Sequence, residues 1–185
     1  MDDIVKAALV KWPNVPHCHG WLALDARGDW YMRDDRCQAA GPFPQVKGSV
    51  VRHDKLREFI ARNCEADASG AWFFQNGPQR VYLTLEAAPW VWRLHKLAGA
   101  GAGAGEGGAL QVHSHTGRPA QVQAVWLDEA GRVFLDTDIG FGLVHTLDTA
   151  LAADAIETQA WPLHELPFAQ MPARFGYRLN PAEPA

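Results

Sequence analysis

A chain of 185 residues is long enough for one sizeable core or two small ones, and 48% apolar with 21% charged residues is ordinary for a globular protein. The formal charge of −4, with no Lys/Arg-rich block, argues against a nucleic-acid binder that neutralises phosphates. No run of about 18 apolar residues suggests a membrane span, the opening MDDIVKAALVKW lacks the basic and long apolar regions of a signal peptide, and Cys18, Cys37 and Cys64 at irregular spacing read as reduced thiols, so the expectation is a cytoplasmic chain.

Residues 2–12 fit a short amphipathic helix, with Asp2 or Asp3 as cap and Ile4, Val5, Ala8, Leu9 and Trp12 on one face. Pro13 and Pro16 stop it. Residues 20–33 then read as a β-hairpin: an apolar strand, an Asp-x-x-Gly turn (Asp25 to Gly28), and a second apolar strand. Residues 34–49, broken by Gly41, Pro42, Pro44 and Gly48, read as a loop. Val50-Val51 is a short strand. The clearest helix covers 54–64, with Leu56, Phe59 and Ile60 as its buried stripe. Asp67 to Gly70 is a turn. Residues 71–74, apolar throughout, read as a strand covered on both faces. After Asn76-Gly77, Val81, Leu83 and Leu85 alternate as a strand does, and Trp90 to Leu97 gives another with Trp90, Trp92 and Leu94 on one side.

Residues 98–109 are almost entirely Gly and Ala, and read as a flexible connection: either a link between domains or a long hairpin loop. The expected division is 1–97, then this connection, then 110–185. The second part begins with a strand near Leu110 to His115. The hairpin at 121–136 repeats the first: aligned on their glycines, Leu24, Asp25 and Gly28 match Leu127, Asp128 and Gly131. Two similar hairpins in one chain suggest an internal repeat of related halves. Phe141 to His145 is a short strand and Leu147 to Ile156 a helix with Thr146 as its cap. The tail, with Pro162, Pro167, Pro172, Pro181 and Pro184, reads as mostly extended apart from one turn near Phe168 to Phe175.

Several short motifs over residues 12–93 occur in a consistent order: Trp12-Pro13, Cys18, Gly28-Asp29-Trp30, Arg52 with Leu56, Gly70-Ala71-Trp72 and Glu86-Ala87-Ala88-Pro89-Trp90. In this order the chain resembles the bacterial family designated domain of unknown function 1285. His19 departs from it by separating Cys18 from Gly20, and Gln75-Asn76-Gly77-Pro78 replaces a Thr-Pro step; these departures point to a sister family of proteobacterial proteins. The resemblance implies an α+β fold of two structurally similar halves, each a curved antiparallel sheet packed around a helix, plus the short N-terminal helix. It also implies a regulatory or signalling role, and it brings no catalytic residues.

The sharpest chemical features are His17-Cys18-His19 and His113-Ser114-His115. On an extended segment residues i and i+2 share a side, so His17 with His19 and His113 with His115 are candidate metal ligands, with Cys18 adding sulfur. The competing reading is hydrogen-bonding surface histidines. Cys64, placed at a helix end, reads as an inert buried thiol rather than a nucleophile. Asp25 and Asp128 read as turn carboxylates that bond nearby backbone rather than a catalytic pair. Gly99 to Gly108 lacks the Gly-Lys-Ser/Thr ending of a phosphate loop. Most of the aromatic residues belong in a core. Trp30 and Trp92, however, are candidates to line a ligand groove, with Arg33 and Arg80 at its rim to hold an anion.

The expected function is a non-enzymatic module that binds a small ligand or a protein partner, with no cofactor, nucleic acid or membrane involved. The alternatives are a metal-assisted enzyme built on the histidine pairs, and a structural homodimer through exposed strand edges.

Overall fold

The first helix, α1 (Asp3–Lys11), has an acidic residue in its first turn and Lys11 in its last, as the helix dipole favours. Only Val5 of its apolar stripe is buried; Ile4 and Val10 face solvent. In this computed structural model, which describes residues 1–96, 110–158 and 161–181, the chain forms two compact units. The first comprises Met1–Asp25, Asp29–Ala87 and Gly176–Ala185, and the second Ala26–Gly28 and Ala88–Phe175.

In the first unit, strands β1 (Cys18–Leu24) and β2 (Trp30–Met32) form the expected hairpin. Residues 34–49 are not all loop: α2 (Asp35–Ala40) forms there, capped by Asp34, whose carboxylate accepts the Cys37 N–H at 2.8 Å. After β3 (Ser49–Val50) comes α3 (Asp54–Arg62), which lays Phe59 edge-on against Phe74 at 5.5 Å and buries Ile60. The meander β4 (Cys64–Ala66), β5 (Trp72–Asn76) and β6 (Gln79–Leu85) completes a sheet of order β3-β2-β1-β6-β5-β4. Leu22, Leu24, Phe73, Leu83 and Leu85 fill its core. Each such side chain contributes roughly 1.5–3 kcal/mol on burial.

The second unit contains β7 (Trp90–Lys96), β8 (Leu110–Ser114), β9 (Pro119–Ala120), β10 (Val122–Leu127), β11 (Val133–Thr137) and β12 (Gly140–Val144). A 3₁₀ turn at Thr146–Asp148 leads into α4 (Thr149–Thr158). Thr146 is not the cap; the imidazole of His145 accepts the Leu147 N–H at 3.1 Å. Then follow β13 (Leu163–Glu165), a second 3₁₀ turn at Phe168–Gln170, and α5 (Met171–Phe175). The sheet order is β13-β10-β11-β12-β7-β8-β9. Trp92, Val125, Phe134, Leu135 and Met171 are fully buried.

The fold is therefore α+β with two curved sheets and a short N-terminal helix. The sheets are mixed rather than antiparallel throughout: β1 runs parallel to β6, β7 to β12 and β10 to β13. The Gly/Ala connection lies outside the described residues. Lys96 and Leu110, on either side of it, are antiparallel partners in β7 and β8. Among the described residues no helix is long and apolar enough to cross a membrane.

A half-buried ion pair ties β7 to the segment before α4. The Asp148 carboxylate accepts from Arg93 Nε at 2.6 Å and from the Leu94 N–H at 3.1 Å. Burial would raise the Asp148 pKa, but the bonds from Arg93 and Leu94 outweigh that and hold it below the ordinary value. With a folded-state value below the unfolded one, this stabilisation is complete above about pH 4 and is lost as pH falls through the folded value. Replacing Asp148 with Ala is expected to cost about 1–3 kcal/mol, chiefly through the orphaned Leu94 N–H, because the Arg93 side chain is 38% exposed and can rehydrate. Urea unfolding across acid pH checks both points: Asp148→Asn should lose less stability than wild type as pH falls through that window.

Candidate functional site

The central strand of the first sheet is irregular where the chemistry collects. Cys18 pairs with Val81 and Leu22 with Leu83, so His19, Gly20 and Trp21 on β1 face only Tyr82 on β6. A bulge of this kind bends a strand and re-aims its side chains. Gly20 makes it possible: its φ is +76°, and a Cβ there would run into the Gln38 side chain.

The bulge lays the His19 ring flat on the Tyr82 ring, with centroids 4.6 Å apart and planes at 12°. His17 meets the same ring edge-on at 5.8 Å. Tyr82 is fixed in turn by its hydroxyl, which donates to Asp67 at 3.1 Å. His19 Nδ1 lies 3.2 Å from the Pro181 carbonyl. A carbonyl only accepts, so Nδ1 carries a proton and donates to it. Nε2 is buried and has no hydrogen-bond partner among the described residues.

His19 lines a cavity of about 490 Å³ whose other polar walls are Arg33, Gln38, Thr84, Glu86 and Asn180. Arg33 is 4% exposed, and its Nε and Nη2 donate to the carbonyls of Val46 at 3.1 Å and Gly41 at 2.6 Å. It thereby holds the 41–46 loop as one wall. Glu86 pairs with Lys47 at 3.5 Å, and Lys47 reaches the buried Asp25 at 2.8 Å. Burial opposes the charge on Lys47, but Asp25 and Glu86 more than offset it and raise its pKa. Tyr31 beside them is raised by burial and by Asp25. The far wall comes from the end of the chain: Leu179 accepts the Leu85 N–H at 2.7 Å, which seats Asn180 and Pro181 next to β6.

A second cavity in the same unit, of about 250 Å³, lies under α3. Its lining is almost wholly apolar, including Leu22, Phe59, Ile60 and Phe74, with Trp21, Met32 and Leu56 partly exposed around it.

Of the residues expected to bind a ligand, Arg33 alone lines the polar cavity. Trp30 is core at 4% exposure, and Arg80 covers the Phe73 ring at 4.4 Å. Trp92 belongs to the second unit, fully buried, with Nε1 donating to the Leu135 carbonyl at 3.2 Å. The histidines expected as metal ligands divide likewise. His17 and His19 meet around Tyr82, and burial, Arg80 and His19 together lower the His17 pKa. In the second unit the His113 ring lies 6.1 Å from that of His95, while His115 Nδ1 accepts the Val91 N–H at 3.3 Å. Among the described residues no group of three or more His, Cys, Asp or Glu is placed to hold a metal.

Cys64 starts β4 rather than ending a helix, and burial pushes its thiol pKa far up. Asp25 and Asp128 accept turn N–H groups, from Asp29 at 3.0 Å and from Arg132 at 2.8 Å, and each also holds a cation. Gln38, Thr84, Glu86 and Asn180 escape a reading of the sequence. His19, inserted before Gly20, and Arg33 carry a signal there.

A family model described as "Protein of unknown function (DUF2946)" matches residues 1–182. Among solved structures, the chain is similar to a DUF1285 family protein from Silicibacter pomeroyi DSS-3, at 13% identity over 83% of this chain and 84% of that one, with a TM-score of 0.50. The resemblance read from the motifs thus extends to the fold. No curated protein matches.

Proposed function

This chain belongs to the family described as protein of unknown function (DUF2946), and we propose that it is a non-enzymatic module that binds a small ligand in the polar cavity of its first unit. The observation that carries this reading is a cavity of ligand size beside the bulge of a central strand, with His19, Arg33, Gln38, Thr84, Glu86 and Asn180 in its lining. A bulge and a left-handed glycine in a central strand are a costly way to place a histidine, and such devices cluster at functional sites.

The walls favour binding over chemistry. Thr84 bonds to the Asn180 amide at 3.5 Å rather than to a base, Glu86 is paired with Lys47, and the Arg33 bonds go to backbone carbonyls. Binding without turnover fits a regulatory role inside the cell. The two sheets also support an internal repeat. Reading β7 to β12 as counterparts of β1 to β6, both run third-second-first-sixth-fifth-fourth, with the first and sixth strands parallel.

A thermal-shift screen of small uncharged and charged metabolite-like compounds tests the reading. A ligand at about 100 times its Kd adds about 2.7 kcal/mol to the stability of the native state. At least one compound should raise the wild-type Tm, and the rise should shrink or vanish in Asn180→Leu, which takes the polar amide from the cavity wall. Hits that survive Asn180→Leu unchanged, or no hit at all, count against it.

A further inference from the structure

Resting on that reading of the cavity, we propose that its ligand is a small organic monoanion, a carboxylate with an apolar body, and that Arg33 holds its charge. The lining carries charge of both signs, and the acid is matched while the cation is not.

The unmatched cation is Arg33. It lines the cavity and is 4% exposed. A guanidinium is always charged and donates through all three of its nitrogens. Here Nε and Nη2 donate to the Val46 and Gly41 carbonyls. Both partners are neutral, and Nη1 has no partner among the described residues. The Phe43 ring, whose centroid lies 5.9 Å from the guanidinium carbon, brings no counter-charge. Holding the 41–46 loop accounts for the two backbone bonds and leaves the charge itself unanswered. Taking a charge out of water without a counter-ion is costly, which is why buried charges are ordinarily paired. A carboxylate in the cavity supplies the missing partner through a charge-assisted bond.

The acid is Glu86, and it is already engaged. It pairs with Lys47 at 3.5 Å, and Lys47 also bonds the buried Asp25 at 2.8 Å. A cationic ligand would find that carboxylate shared and would face Arg33 uncompensated. An uncharged ligand would leave the Arg33 charge as it stands. Glu86 also limits how much negative charge the cavity takes. A second negative charge on the ligand would meet repulsion from Glu86 rather than a partner, which favours a carboxylate over a phosphate dianion.

The rest of the lining suits an organic body. Pro42, Phe43, Leu85 and Leu179 give it apolar surface, and Thr84 and Asn180 are neutral polar groups beside the returning tail. A volume of about 490 Å³ admits a molecule of this kind.

Benzoate, benzamide and benzylammonium share one shape and differ in charge. Each is titrated at neutral pH and constant ionic strength into ¹⁵N-labelled full-length protein, and the amide signals of Gly20, Gly41 and Thr84 are followed. Benzoate should shift them with an affinity at least about tenfold better than the other two. Arg33→Met removes the charge and should bring benzoate down to the level of benzamide. Glu86→Gln removes the wall acid and leaves Arg33 in place, so it should tighten benzoate by roughly threefold and leave benzamide unchanged. Should the Arg33→Met spectrum show a disturbed fold, Glu86→Gln decides. If benzamide or benzylammonium binds as well as benzoate, the ligand class is overturned while the cavity stands as a binding site. A benzoate affinity that ignores the wall charge in the folded variants also overturns it. If none of the three compounds shifts these signals, the cavity reading itself falls.

Discussion

Replacing Trp92 with alanine is expected to lower the unfolding free energy of the second unit by about 3–5 kcal/mol. The side chain is 0% exposed on the central strand β7, so the substitution opens a cavity that the surrounding strands cannot close by moving. It also removes the donor to the Leu135 carbonyl. The site is built to hold this ring. A Cβ on Gly142 would collide with Trp92 Nε1 and with the Trp90 backbone, so the neighbouring strand leaves its side-chain position empty to admit the indole. Trp92→Phe keeps part of the volume and should cost less than alanine. Because the chain has two compact units, unfolding need not be one step. Hydrogen exchange of the β11 amides in increasing denaturant reports the second unit directly. A cost below about 1 kcal/mol there would contradict this packing argument.

The elements readable from the sequence are those with a period. Helix α3 has apolar residues at i, i+3 and i+4, and the hairpin strands alternate around turns of fixed chemistry. Helix α2 has no such signal: it is six residues long and buries none of them. Strands β9 and β13 have two and three residues, and β13 is exposed throughout, so neither shows an alternation. Cys64 reads as the last turn of α3 because strand β4 begins right after the helix and its cap residue. The parallel pairs are harder still. No local pattern tells β1 that its partner is β6, because such a pairing depends on where the chain returns. The same holds for β7. It follows β6 in sequence and resembles it, yet its hydrogen bonds go to β8 and β12. The Asp-x-x-Gly match between Asp25 and Asp128 is real as turn chemistry. The same turn occurs at Asp67, whose carboxylate accepts the Ser69 N–H at 2.8 Å. That turn joins β4 to β5, as the Asp128 turn joins β10 to β11. A turn motif records a local need and so recurs wherever that need does.

Two cavity residues, His19 and Arg33, are legible in the sequence. His19 stands out in the sequence as half of a histidine pair, and the i, i+2 rule would place it beside His17. The two rings do meet, on Tyr82, but at different angles: His19 stacked and His17 edge-on. Gln38 comes from a helix with no sequence signal, Glu86 from the end of β6, and Asn180 from a tail that reads as loose extended chain. Arg33 is legible in the sequence as a groove-rim residue to hold an anion; the structure buries it and directs its Nε and Nη2 to backbone carbonyls, which no side-chain pattern announces.

Two glycines in equivalent turns should respond to alanine very differently. Gly70 and Gly131 both close Asp-x-x-Gly turns, with φ of +79° and +72°. Alanine in that left-handed region costs roughly 1–2 kcal/mol. At Gly131 a Cβ meets nothing within 4 Å, so that is the whole cost. At Gly70 it would strike the backbone of Gly176 and Tyr177. The returning segment cannot simply step aside. Arg178 N–H donates to the Gly70 carbonyl at 3.1 Å, the Tyr177 hydroxyl to Ala87 at 3.0 Å, and Leu85 N–H to Leu179 at 2.7 Å. Gly70→Ala is therefore expected to cost about 2 kcal/mol more than Gly131→Ala, the added overpacking falling in the usual 1–3 kcal/mol range. Denaturant midpoints at equal m-values measure the difference, and equal costs would mean the tail packs loosely. The consequence reaches the cavity, because the strap displaced by Gly70→Ala is the one that carries Asn180 and Pro181. Any ligand held there should lose affinity in Gly70→Ala and keep it in Gly131→Ala, although neither glycine touches the cavity.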